Sequence, residues 1–448
     1  MKRNILYLLL IIFFAGAVSF VVVKYTNKKD SESKVEYSLL PRAGNNNKEE
    51  WAFAKNYTDS LMERIALRPD DSKSKIALAN AYIIESRISG NMAYYDKAAM
   101  KTVESILSKQ PDHADALMLK SLVQLSQHHF AEGLETASKV VNLKPNTSFG
   151  YGLLVDANIE MGDYTAAVEA AEKMIIIRPD MRSYSRISYL REIHGDYNGA
   201  ISAMKLAVAA GVPAEESTEW CRTQLGRLYE QVGKVAEARY QYQLSLAARP
   251  DYSNALAGLG RLSAHEKKYD SAVYYFKQAA VFTNDLDIKQ NLSTSLQHNG
   301  EAQKATQLRK DIISEMNKNT NSADDPELGH YSDKELAIVY LENNDNEKAL
   351  QHAMAEYNRR PQNIEVNETM AQVYYKRNEV EKALPFLKTA LSTNSKKPGL
   401  LALAALIYLK TGNTETANQI LSETMARRPV LPQQMLAEIN EVYKISDK

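Results

Sequence analysis

The chain has 448 residues, with 55 basic against 55 acidic side chains and a formal net charge of zero. That balance leaves no global field to draw it onto nucleic acid or an acidic surface, and its single cysteine, Cys221, excludes an internal disulfide and any cysteine-based metal site. The length exceeds the roughly 100–200 residues of one compact core, a bound that does not apply to an array whose units pack only on their neighbours.

Met1, Lys2, Arg3 and Asn4 precede an uncharged, mostly apolar run from Ile5 to Val23, closed by Lys24. At about 1.5 Å per residue this run approaches the roughly 30 Å of a bilayer core, so residues 1–24 are expected to be an N-terminal transmembrane anchor. The alternative is a signal peptide cleaved near Ala17, because Ala15-Gly16-Ala17 has the small residues of a cleavage site. Phe20, Val21, Val22 and Val23 continue the apolar run beyond it and favour retention. The short basic head points to an extracytoplasmic, periplasmic location for the rest of the chain, while Lys24, Lys28, Lys29 and Lys34 pull the other way. Residues 25–48 are rich in Lys, Ser, Asn and Glu and read as a flexible polar linker.

A lead-in helix follows from Glu49 to Leu67, with Trp51, Phe53, Ala54, Tyr57, Leu61 and Ile65 mostly three or four apart, ended by Arg68-Pro69-Asp70. Beyond it a short pattern returns every 34 residues: Pro111, Pro145 and Pro179 keep that step, as do Tyr340, Tyr374 and Tyr408, and Ala349, Ala383 and Ala417. A period of this size predicts an all-α solenoid of repeated helix pairs, about ten of them, after the N-terminal helix. Pro69 to Pro111 is a longer step, 42 residues, and its surplus is expected as a long loop around Ser89-Gly90-Asn91-Met92 between helices 72–86 and 93–109. Residues 318–330, rich in Ser, Asn and Asp and containing Pro326, read as a polar break or hinge between an N-terminal array, 49–317, and a C-terminal array, 331–448. A last helix, 431–446, is expected to cap the array, with Met435, Leu436, Ile439 and Tyr443 inward and Glu438, Asn440 and Glu441 outward.

Leu225-Gly226, Tyr229, Gly233, Ala238, Tyr242 and Pro250, then Leu259-Gly260, Ala272, Phe276 and Ala279, carry a recognisable spacing, with inter-helix turns at Gly162-Asp163-Tyr164 and Gly195-Asp196-Tyr197. On these residues the chain resembles the tetratricopeptide repeat family, in its membrane-anchored bacterial form. The physics agrees: glycine frees the turn, alanine lets helices approach, and proline stops the second helix.

No His-Glu-x-x-His, Walker-type glycine loop, Gly-x-Ser-x-Gly or paired-cysteine signature occurs, so neither an enzyme nor a cofactor or metal site is expected. His128-His129 reads as a surface turn, Cys221 as a packed side chain, and Gly226 and Gly260 as helix contacts. The resemblance implies that first helices line a concave groove which takes up peptides or helices of partner proteins. By position it places Arg182, Tyr189, Trp220, Arg227, Asn254 and Arg261 there, residue types that anchor interfaces and that suit an anionic segment. The expected function is a membrane-anchored, protein-binding scaffold or adaptor in a cell envelope; the alternative is a secreted or periplasmic binding module.

Overall fold

The computed structural model describes residues 14, 18, 37–43, 48–320, 329–425 and 433–443. Residues 41–448 form one compact unit and residues 1–40 another. Most of the expected anchor and linker, residues 321–328 of the expected break, and the chain around Pro429 lie outside the described residues. Among the described residues there are 22 helices, none long and apolar enough to cross a membrane.

Ten residues with positive φ mark the turns inside ten helix pairs: Gly90, His128, Gly162, Gly195, Gly233, Lys267, Gly300, Asn344, Asn378 and Gly412. Glycine and asparagine supply eight of them, as the left-handed region favours. Each pair closes in the same way. A small residue in the first turn of the second helix, or in the third turn of the longer Met92–Leu107, is packed in the pair: Ala99, Ala167, Ala200, Ala238, Ala272, Ala305, Ala349, Ala383 and Ala417 are fully buried, and Gly133 takes the remaining place. A Cβ on Gly133 would sit 2.8 Å from Leu125 Cδ2. In three of the pairs a serine on the first helix also donates to the carbonyl of that position, Ser121 to Gly133 at 2.9 Å, Ser188 to Ala200 at 2.8 Å and Ser293 to Ala305 at 3.2 Å. Asp163, Asp196 and Asp345 cap second helices by accepting from the backbone three residues on.

The lead-in helix, Lys48–Leu67, packs on Ser72–Ser89, and the final helix, Gln433–Tyr443, covers the last apolar face with Leu436 and Ile439. Glu438, expected outward, instead accepts from Tyr375 Oη at 2.8 Å and Lys376 Nζ at 2.7 Å. The surplus residues of the first pair form no projecting loop. They lengthen its helices to Ser72–Ser89 and Met92–Leu107, leaving only Gly90 and Asn91 between them, because that turn is held against the backbone of residues 284 and 285, where a longer loop would collide.

That contact belongs to a seam that periodicity alone does not reveal. The Asn284 N–H donates to the Ser89 carbonyl at 2.8 Å and the Tyr331 N–H to the Gln127 carbonyl at 3.1 Å. Asn363 Nδ2 donates to the Ile159 and Glu160 carbonyls at 3.2 and 3.0 Å, the Ile364 N–H to Tyr164 Oη at 2.8 Å, and Thr393 Oγ1 to the Ile193 carbonyl at 2.7 Å. These partners are 195 (284 minus 89) to 204 residues apart. The solenoid is thus a tight superhelix that returns upon itself after about 200 residues, with turns inside pairs one to four resting on the junctions that follow pairs six to nine. At Gly162 a Cβ would lie 2.4 Å from the Gln362 carbonyl carbon, so glycine there serves the close approach of two turns as well as the positive φ.

His128 and His129 sit in this seam and not in a surface turn. His129 is buried; its Nε2–H donates to the Gly329 carbonyl at 2.6 Å and its ring stacks on Tyr331. His128 Nδ1–H donates to the Tyr331 carbonyl at 2.7 Å, with the His330 ring 4.3 Å away. Arg360 lies over the Phe130 ring at 4.3 Å and pairs with Glu160 and Glu356. Gly329 and His330, at the end of the expected boundary between the two arrays, thus belong to the seam.

Candidate partner-binding groove

The six residues assigned by position to a groove lie on the first helices Met181–Ile193, Glu216–Gln231 and Ser253–His265 and meet different environments. Arg182, at the start of Met181–Ile193, is exposed and lies over the Phe149 ring at 5.1 Å. Burial disfavours its charge, and Arg186, Arg87 and Arg178 repel it while Asp180 opposes them; those three arginines pair with Asp156, Glu216 and Asp180, and Arg182 does not. Trp220 is 36% exposed on Glu216–Gln231. Asn254 donates to Tyr252 Oη at 3.1 Å, and Tyr252 Oη donates to Glu216 at 3.1 Å, so its amide is tied to repeat packing.

Arg261 is tied more firmly. Its Nε and Nη2 reach Glu230 Oε1 at 3.2 Å and Tyr242 Oη at 3.1 Å, while Tyr242 Oη donates to Glu230 at 2.9 Å and His265 completes the cluster at 3.2 Å. Glu230 is buried. Burial opposes its charge, but Arg261 and His265 hold it at about 2. The side chain assigned to the groove is here the counter-ion that makes a buried carboxylate tolerable. Tyr242 is itself clamped between two glycines: a Cβ at Gly226 or Gly258 would come within 2.5 Å of its ring. Gly226 and Gly260 are indeed helix contacts, Gly260 against the Phe276 ring.

Tyr189 and Arg227 face a cavity of about 140 Å³ whose opposite wall comes from the next superhelical turn: Ile364, Glu365, Glu368, Ser395, Lys397 and Leu400. Position within a repeat could not supply that wall. Lys334 pairs with Glu365 at 2.8 Å and Lys397 with Glu368 at 2.9 Å. Lys334 holds Glu365 far below the usual carboxylate range, and Glu365 raises Tyr189 well above the usual phenol. Glu192 lies on the near wall, and burial raises its carboxyl. Among the described residues no cluster of His, Cys, Asp and Glu has the makings of a metal site. Cys221 is buried, which pushes its thiol up to about 12 and leaves it a poor nucleophile.

Helix pairs stacked at a 34-residue step define an α-solenoid. Residues 223–287 match the family model described as tetratricopeptide repeat. No curated protein sequence matches it. Among solved structures it is similar to a tetratricopeptide repeat protein from Parabacteroides merdae, at 15% identity over 55% of this chain and 94% of that one, with a TM-score of 0.42. A thermophilic repeat protein of Thermus thermophilus matches at 20% identity over 46% and 98%, TM-score 0.36. The Cut9–Hcn1 hetero-tetramer of the APC/C matches at 13% over 88% and 96%, TM-score 0.38.

Proposed function

We propose that the chain is a non-enzymatic scaffold that binds an anionic segment of a partner protein on its inner face, around Arg182 and Trp220. The observation that carries this reading is the Arg182 side chain: exposed, in no hydrogen bond through its guanidinium among the described residues, and crowded by Arg87, Arg178 and Arg186. A carboxylate-rich segment relieves that repulsion, and Trp220 and Tyr189, both 36% exposed, offer aromatic anchors. In this reading residues 1–24 tether the scaffold to a membrane with the solenoid on the extracytoplasmic side; the alternative is a module released by cleavage near Ala17.

The test is photocrosslinking in intact cells with a reactive residue at position 220. The expected result is one dominant adduct in the wild-type background, lost on Arg182→Glu. An adduct that survives this reversal would place the partner elsewhere. Intact mass of the mature chain separates tether from cleavage, since only the tether retains Met1 to Val23.

A further inference from the structure

We propose that the cavity between the two superhelical turns is a binding site for a small zwitterion of the α-amino-acid class, its carboxylate on Arg227 and its ammonium on Glu192. The inference is independent of partner binding at Arg182 and Trp220. It starts from which charges in the cavity already have partners. On the far wall Glu365 and Glu368 are closed off by Lys334 and Lys397 at 2.8 and 2.9 Å. On the near wall Arg227 and Glu192 remain. Each acts on the other electrostatically, yet among the described residues neither side chain makes a hydrogen bond or an ion pair within 4.0 Å.

An opposite pair that is held together but kept out of contact, with Arg227 exposed and Glu192 half-buried, leaves two charges without a protein partner on one wall of a partly open space. An anion alone would bind Arg227 and leave Glu192 uncompensated, and a cation alone would do the reverse. A zwitterion satisfies both: the planar guanidinium takes a carboxylate by two parallel hydrogen bonds, and the Glu192 carboxylate accepts from an ammonium. The remaining lining suits the rest of such a molecule. Gln224 and Gln231 add amide groups beside the charges, and Ile193, Ile364 and Leu400 give an apolar floor. The 140 Å³ available is close to the roughly 150 Å³ cavity that admits a benzene-sized guest, so the side chain must be small. Because its walls come from helices Met181–Ile193 and Glu216–Gln231 on one side and residues 364–400 on the other, the occupant bridges the turns and favours the closed superhelix.

The experiment is isothermal titration of the full chain with L-alanine and L-valine, with propionate and ethylamine as controls carrying one charge each, followed by thermal melts. Both amino acids are expected to bind at Kd in the range of about 0.01–1 mM and to raise the melting temperature, while the controls bind at least tenfold more weakly. Arg227→Lys and Glu192→Gln, both conservative in size, should each weaken L-valine at least tenfold with an unchanged circular dichroism spectrum. Absence of binding to either amino acid at about 10 mM overturns the site. So does propionate binding as tightly as L-alanine, which would mean a simple anion site, or amino-acid binding indifferent to both substitutions.

Discussion

Asn363 joins a helix cap to the seam, and the two roles can be separated. Its Oδ1 accepts from the Glu365 and Val366 N–H groups at 2.9 and 3.0 Å, capping Ile364–Lys376, while its Nδ2 crosses to the Ile159 and Glu160 carbonyls. Serine caps about as well but is too short to reach across; alanine does neither. Both carbonyls keep another donor, Gly162 N–H and Arg360 Nη1 respectively, so each lost bond should cost about 1 kcal/mol rather than a full desolvation penalty. Asn363→Ser is therefore expected to lose about 2 kcal/mol, all from the seam, and Asn363→Ala about 3 kcal/mol, the difference being the cap. Hydrogen exchange with mass spectrometry reads this locally. The serine variant should lose protection in residues 148–164 as well as in 364–376, although those segments are far apart in sequence. Loss confined to 364–376, or equal effects of serine and alanine, would refute the seam as a feature of the protein in solution.

Burial lowers His128 to about 4 and His330 to about 3, with Lys334 and Arg360 adding to the effect on the first, His128 and His129 adding to it on the second, and Glu356 and Glu335 opposing. Both values lie below the unfolded value of about 6.5, so the unfolded chain binds more protons and stability should fall as pH drops from about 6.5 toward 4; urea melts across that range should show the loss, and His128→Asn should flatten it. Arg261→Glu leaves Glu230 buried beside a like charge and should cost at least about 3–5 kcal/mol, with lost helicity, whereas Arg182→Glu should leave the melt nearly unchanged; equal melts would return Arg261 to the groove. Gly258→Ala forces a methyl onto the Tyr242 ring that Glu230 and Arg261 hold in place, with an expected cost of about 1–3 kcal/mol in chemical denaturation, and a neutral outcome would mean that the ring can yield.

What was legible in the sequence was local. The ten turns, the buried small residue of each pair and the capping helix are set by residues within one period, so a 34-residue step exposes them. The seam is not local. It arises from small rotations summed over about six pairs, and no residue near His128 announces that Tyr331 will be its partner. The same gap applies to the groove: position within a repeat gives a face but not a neighbour, so neither the Glu230 carboxylate that pairs with Arg261 nor the second-turn wall opposite Arg227 could be read from it.

The return of the superhelix after some 200 residues also bears on how such a chain can have changed over time. Solenoids grow easily by duplication of one unit, because in an open array a new unit meets only its two neighbours. Here an extra helix pair inserted between residues 195 and 282 would shift every later junction by one place, setting Asn363 against the turn of a different unit and the histidine pair against a junction without Gly329 and Tyr331. Lengthening is free only at the ends, and the interior has become a fixed-count structure, a ring gauge rather than an extensible rod.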